Sequence, residues 1–221
     1  MNDYNLDYVL CIDGTASMGP IIREIKRSVT SLYDKIKAIM TEDGVGLGQL
    51  RVKVIVFGDY RCDDKPMRIS PFYLLSEDER DESAAFREFV EDIVAEGGGD
   101  CPEDGFEALA YAMQSDWDRS QGRSRYIIQL FTDADAHEMG ANFDCAGYPD
   151  DLPKNFSELT ALWESMDRRR RLFLVAPQGT LYEDCEKIWD NTMFFPAQCG
   201  MGGGDLDIDE CINFLSYAIC G

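Results

Sequence analysis

The sequence predicts an α/β fold: a Rossmann-like, doubly wound sheet, mostly parallel with one antiparallel edge strand, and helices on both faces. Strand-like and helix-like segments alternate along the chain, as in parallel βαβ units. Residues 8–12 form a continuous apolar run and residues 126–131 are apolar on both faces, which is typical of central buried strands. The 221 residues show no internal repeat, low-complexity segment or linker, so we expect one domain over residues 1–221.

The elements of the first half follow from apolar spacing and from proline. Residues 20–39 place apolar side chains at alternating steps of three and four, which predicts one long helix with a stripe facing the core. Residues 52–57 read as a second strand. Residues 69–75 contain Pro71 and are predicted as an edge strand, antiparallel to residues 52–57, because proline is best tolerated at a sheet edge.

The second half repeats the alternation of helices and strands. Gly, Pro, Asn and Asp are concentrated at residues 139–156, which predicts a loop. The predicted helices are 83–95, 102–117, 157–168, 180–189 and 207–219, and the predicted strands are 126–131, 172–176 and 193–195.

The composition excludes several classes of function. Acidic residues outnumber basic ones by 42 to 21, and the formal net charge of −21 disfavours partners that carry phosphate, namely nucleic acid and membrane surfaces. The N-terminus lacks a signal-like pattern and no apolar run approaches about 18 residues, so we expect a cytoplasmic protein. Eight cysteines without C-x-x-C spacing and a single histidine favour free thiols over a Cys/His zinc site.

Three predicted loops at the carboxyl ends of strands carry oxygen-bearing side chains. Asp13, Thr15 and Ser17 occupy alternate positions after the first strand, so that their side chains point the same way. A glycine triplet presents Asp100, and Asp133 follows the strand at 126–131. Ligands of open α/β sheets bind at this edge.

Oxygen donors of this kind suit hard divalent cations, with Mg²⁺ expected first and Mn²⁺ or Ca²⁺ as alternatives. The competing interpretation is that Thr15, Ser17 or Asp100 only caps a helix. Asp135 is expected to support the ligands or to lie in solvent, and His137 to orient its loop through a hydrogen bond. The predicted metal ligands are Asp13, Thr15, Ser17, Asp100 and Asp133, with Glu103, Asp135 and His137 as supporting residues or alternative ligands.

The sequence resembles the von Willebrand factor type A domain (VWA) and its metal-ion-dependent adhesion site (MIDAS). The family pattern Asp-x-Ser-x-Ser corresponds to Asp13, Thr15 and Ser17, and Asp133 matches the aspartate after the fourth strand. The threonine of the family's second loop is missing. Asp100 is the nearest equivalent, while Glu103 has the more family-like spacing to the following helix.

The chain is most similar to intracellular A domains of the alpha-kinase-associated type, and more distantly to bacterial tellurium-resistance A-domain proteins. The similarity lies in the stretch Gly-Gly-Gly-Asp-x-Pro-Glu-Asp at residues 97–104, in Gly-Asp-Tyr at 58–60 and in Asp-Ala-x-x-His at 133–137.

The resemblance implies a metal-dependent protein-binding module, an intracellular interaction or signalling scaffold that is not an enzyme. An Asp or Glu side chain of a protein partner would complete the coordination of the cation. Two alternatives stay open: a metal-dependent phosphohydrolase, and a scaffold whose metal site is vestigial. We expect neither a nucleic-acid nor a membrane partner.

Overall fold

The computed structural model describes residues 3–29, 31–98, 102–119 and 123–197. The predicted closing helix at 207–219 and the predicted ligand Asp100 lie outside these ranges. The strands are β1 (Asp3–Asp13), β2 (Gly46–Phe57), β3 (Met67–Ile69), β4 (Tyr73–Leu75), β5 (Ser124–Phe131), β6 (Arg170–Pro177) and β7 (Thr192–Ala197). The α-helices are α1 (Gly19–Val29), α2 (Leu32–Glu42), α3 (Arg80–Glu91), α4 (Gly105–Met113), α5 (Phe156–Ser165) and α6 (Tyr182–Ile188).

The seven strands form one sheet in the order β3-β2-β1-β5-β6-β7, with β4 also paired to β2. The pairs β1–β2, β1–β5, β5–β6 and β6–β7 are parallel. Only β3 and β4 run antiparallel, and both pair with β2. The predicted fold class is therefore confirmed.

Two predicted elements are divided in the structure. The expected edge strand at 69–75 is two short strands, β3 and β4, and Pro71 lies between them. Proline has no N–H to give to the ladder, whereas the hydroxyl of neighbouring Ser70 accepts a hydrogen bond from Val54 N. The expected long helix is two helices, α1 and α2, and Ser31 N, just before α2, donates to Ser28 O.

The sheet is covered on both faces, and the side chains of β1 alternate between two cores. Leu10 and Ile12 belong to the core under α1, α2 and α3, whereas Val9 and Cys11 belong to the core under α4, α5 and α6. This explains why residues 8–12 are continuously apolar. Within the residues that the structure describes, no helix is both long enough and apolar enough to cross a bilayer.

The centre of the sheet creates a site at its carboxyl edge. The chain leaves β1 toward β2 on one side, while β5 lies on the other side, so the strand order reverses between β1 and β5. Ile12 is in register with Phe131, which places the residues after both strands next to each other. Such a reversal opens a crevice for ligands.

Candidate metal centre

Asp13 ends β1 and is completely buried. Its Oδ1 accepts a hydrogen bond of 2.9 Å from Thr15 N, and its Oδ2 accepts one of 2.7 Å from Thr132 Oγ1. Gly14 N donates to Phe57 O at the end of β2. These bonds fix the carboxylate between the ends of three neighbouring strands.

The hydroxyls after β1 face the loop after β5. Thr15 Oγ1 lies 3.3 Å from Ser17 Oγ, which donates a 2.8 Å hydrogen bond to Asp133 Oδ1. Thr15 precedes a 3₁₀ turn at Ala16–Met18, but its side chain makes no capping hydrogen bond there. Ser17 therefore joins Thr15 to Asp133, and Thr15 does not cap the turn.

Glu103 approaches the loops after β1 and β5 from the loop before α4. Its N donates to Asp135 O, and its O accepts from His137 N, both at 2.9 Å, which forms an isolated parallel bridge beside the loop after β5. A Cβ on Gly98 would stand 2.9 Å from Thr15 Cβ and 3.5 Å from Glu103 Oε1. Gly98 has a φ of +73°, and without a side chain it lets both Thr15 and Glu103 pack against its backbone.

The electrostatics of this centre favour a cation. Burial raises the pKa of Asp13 to about 6, since water no longer stabilises its charge. Burial, followed by the charges of Asp13, Asp63, Asp59 and Asp104, raises the pKa of Glu103 to about 9. Glu103 is 2% exposed, and its Oε2 is buried without a hydrogen-bond partner in the described part of the chain. A divalent cation would supply the missing partner and offset the repulsion, so these residues fit the predicted metal.

The side chains of Asp135 and His137 contact other residues than the Asp13, Ser17 and Asp133 group. Asp135 Oδ1 accepts hydrogen bonds from Ala136 N and from Leu181 N, so it fixes the segment before α6. The His137 ring faces Asp59, with Nε2 at 3.7 Å from Asp59 Oδ1, and no described residue hydrogen-bonds to this nitrogen. The loop-orienting bond expected of His137 comes from its backbone N–H instead.

Sequence reasoning missed a second polar group beside this centre. Asn142 Nδ2 donates to Asp59 Oδ1 at 2.9 Å and to both oxygens of Asp104, at 2.9 and 3.2 Å. Arg61 in turn donates to Asn142 Oδ1. Asp59 and Asp104 belong to the stretches on which the resemblance was based, but nothing in the sequence marks Asn142 within its loop.

The buried hydroxyl of Tyr182 gives a stability prediction. It has no hydrogen-bond partner among the described residues, and a Cβ on Gly105 would overlap it. Because an unpaired buried hydroxyl is costly, we expect Tyr182→Phe to raise the free energy of unfolding by about 1 kcal/mol. The matched control is Tyr8→Phe, whose buried hydroxyl does donate to Gln129 Oε1 and whose loss should lower stability by about 1 kcal/mol. Urea unfolding measures both changes, and equal signs would contradict the assignment.

Solved structures share this fold. A pilus adhesin, SpaC from Lactobacillus rhamnosus GG, superposes with a TM-score of 0.62 at 13% identity over 100% of this chain and 31% of its own. A von Willebrand factor type A protein from Catenulispora acidiphila gives 0.53 at 14% identity, over 99% and 43%. Proximal thread matrix protein 1 from the mussel byssus, in a structure described as having a zinc-occupied MIDAS motif, gives 0.50 at 14% identity, over 99% and 48%.

These similarities establish a VWA-like fold. Each neighbour is much longer, since this chain spans less than half of it. No protein-family model and no curated protein sequence matches the chain.

Proposed function

We propose that the protein is a metal-ion-dependent protein-binding module with a MIDAS-type site at the carboxyl edge of its sheet. Ser17, Thr15 and the carboxylates of Asp13 and Asp133 would hold the cation. Glu103 takes the place that the family gives to threonine, and Asp100 is a further ligand candidate. The orphaned buried oxygen of Glu103 carries this proposal, because no other described residue satisfies it.

The donor set supports Mg²⁺ as the resident cation, with Mn²⁺ or Ca²⁺ as substitutes. All of these donors are hydroxyl or carboxylate oxygens, which are the ligands that hard divalent cations prefer. The zinc-occupied motif of the mussel protein supports a divalent cation at this position of the fold.

The partner we propose is a protein that offers an Asp or Glu side chain to the cation. Hydroxyl ligands are neutral, so part of the positive charge remains to attract an anion. A bound cation would displace the proton of Glu103 and leave a charged ligand where the family has a neutral threonine. We therefore expect a partner carboxylate to bind more weakly here than at a site with threonine. The protein would act by binding, not by catalysis, as an intracellular interaction or signalling scaffold of the alpha-kinase-associated type.

Thermal unfolding and peptide titration test this function. With Mg²⁺ at about 100 times its dissociation constant, linkage stabilises the folded state by about 2.7 kcal/mol. This corresponds to a rise in Tm of about 5–10 °C for a domain of this size.

A Glu-containing peptide should then bind only with Mg²⁺ present, and its Gln counterpart should not bind. Glu103→Thr should bind the Glu peptide more tightly than wild type. Absence of a metal-induced shift would support a vestigial site, and Mg²⁺-dependent hydrolysis of a phosphate monoester would support the phosphohydrolase.

A further inference from the structure

A second set of possible metal ligands lies outside the proposed MIDAS. Asp59 follows β2, Asp104 immediately precedes α4, and His137 follows β5. One ligand atom from each of these residues lies within 4.8 Å of the other two. We call these three residues the Asp59 cluster.

The two carboxylates of the Asp59 cluster are buried without a lysine or arginine partner. Asp59 is 1% exposed and Asp104 is fully buried. Within the described ranges, no lysine or arginine forms a salt bridge with either carboxylate, and Arg61 contacts the Asn142 amide. A buried carboxylate that is not paired with a positive charge is costly, so a bound cation would stabilise this cluster.

The His137 ring supplies an observation independent of the acidic charge. Its Nε2 is buried and has no hydrogen-bond partner in the residues described. The 3.7 Å from Nε2 to Asp59 Oδ1 is too long for a hydrogen bond. Two atoms that each bind one ion at about 2.1 Å lie at most about 4.2 Å apart. The separation therefore places the ring nitrogen within reach of an ion that the Asp59 carboxylate binds.

We propose that Asp59, Asp104 and His137 form a second divalent cation site, which selects Zn²⁺ over Mg²⁺. Imidazole nitrogen is a common zinc ligand, whereas Mg²⁺ prefers oxygen donors. Asp59 Oδ1 accepts from Asn142 Nδ2 and Arg61 N, and Asp104 accepts from Asn142 Nδ2 and Tyr60 N. Acceptor sites remain on both carboxylates, because each ionised carboxylate offers about four. This site does not depend on the proposed function, since it shares no ligand with the MIDAS.

The single histidine of the chain makes the test specific, because the imidazole NMR signals can come only from His137. The full chain is first saturated with Mg²⁺, and Zn²⁺ is then titrated under reducing conditions. We expect the ring signals to shift with Zn²⁺, to stop changing at one equivalent and to be insensitive to Mg²⁺. Unchanged ring signals at tenfold excess of Zn²⁺ would overturn the proposal and leave Asn142 as the group that satisfies the carboxylates.

Two variants separate this site from the MIDAS. Asp59→Asn, with its fold checked by circular dichroism, should require at least tenfold more Zn²⁺ for the same shift of the His137 signals. Asp13→Asn should leave the Zn²⁺ response of His137 intact even if Mg²⁺ no longer binds. The proposal is wrong if folded Asp59→Asn responds like wild type, or if Asp13→Asn abolishes the response.

Discussion

Asp13→Asn is expected to weaken Mg²⁺ binding by about 100-fold or more. Loss of residues that merely orient metal ligands typically costs 10–100-fold in affinity, and Asp13 is a buried carboxylate at the centre of the proposed site. Asparagine has nearly the same side-chain shape as aspartate, and its Oδ1 can still accept the hydrogen bond from Thr15 N that Asp13 Oδ1 accepts. The change therefore removes charge while preserving the loop. Titration calorimetry with Mg²⁺ measures the effect.

The matched control is Asp7→Asn, in the middle of β1. Asp7 is also buried, but it pairs with Arg51 through two hydrogen bonds and accepts from Asp118 N. We expect Asp7→Asn to lower the free energy of unfolding by about 1.5–3 kcal/mol and to leave Mg²⁺ affinity unchanged. Metal-free Asp13→Asn should be more stable than wild type, since a buried charge is removed. Equal Mg²⁺ affinity of Asp13→Asn and Asp7→Asn would contradict the assignment of Asp13 as a metal ligand.

Mg²⁺ affinity should rise about tenfold per pH unit between pH 7 and 8.5, because a cation must displace the proton that Glu103 holds. Burial and neighbouring carboxylates raise the pKa of Glu103 from 4.5 to about 9, whereas the pKa of Asp13 is raised to about 6. Glu103 is therefore the residue of this pair that titrates above pH 7. Calorimetry in buffers of different ionisation enthalpy counts the proton released.

The stability of the metal-free protein should fall over the pH range in which Mg²⁺ affinity rises. The folded state binds the Glu103 proton more tightly than the unfolded state, so this group lowers stability as the pH rises from 4.5 toward about 9. Glu103→Gln should flatten the Mg²⁺ affinity profile and remove this loss of stability. If Glu103→Gln kept the wild-type slope, Glu103 would not be a residue that the cation deprotonates.

Much of the fold was predictable from the sequence because β1 and β5 are apolar on both faces and each is followed by an aspartate. Parallel strands align their carboxyl ends, so Asp13 and Asp133 were expected at the same edge of the sheet. The structure adds that both lie at the reversal of strand order and that Ser17 joins them by a hydrogen bond.

The rest depends on contacts between residues distant in the chain. Sequence spacing left Asp100 and Glu103 as alternatives, and it is the bridge between Glu103 and Ala136 that brings Glu103 beside the loop after β5. Similarly, Asn142 reaches Asp59 across 83 positions and Asp104 across 38. No local pattern encodes such pairings, because they arise only when the loops meet at the edge of the sheet.

The most direct measurement is an anomalous difference map from a crystal of the full chain soaked in Mn²⁺. The account predicts a peak within about 2.0–2.4 Å of Ser17 Oγ and of at least one carboxylate oxygen from Asp13, Asp133 or Glu103. No peak among these residues, at Mn²⁺ concentrations that saturate binding in solution, would contradict the proposed metal centre. A peak found only beside Asp59, Asp104 and His137 would also contradict the proposed metal centre.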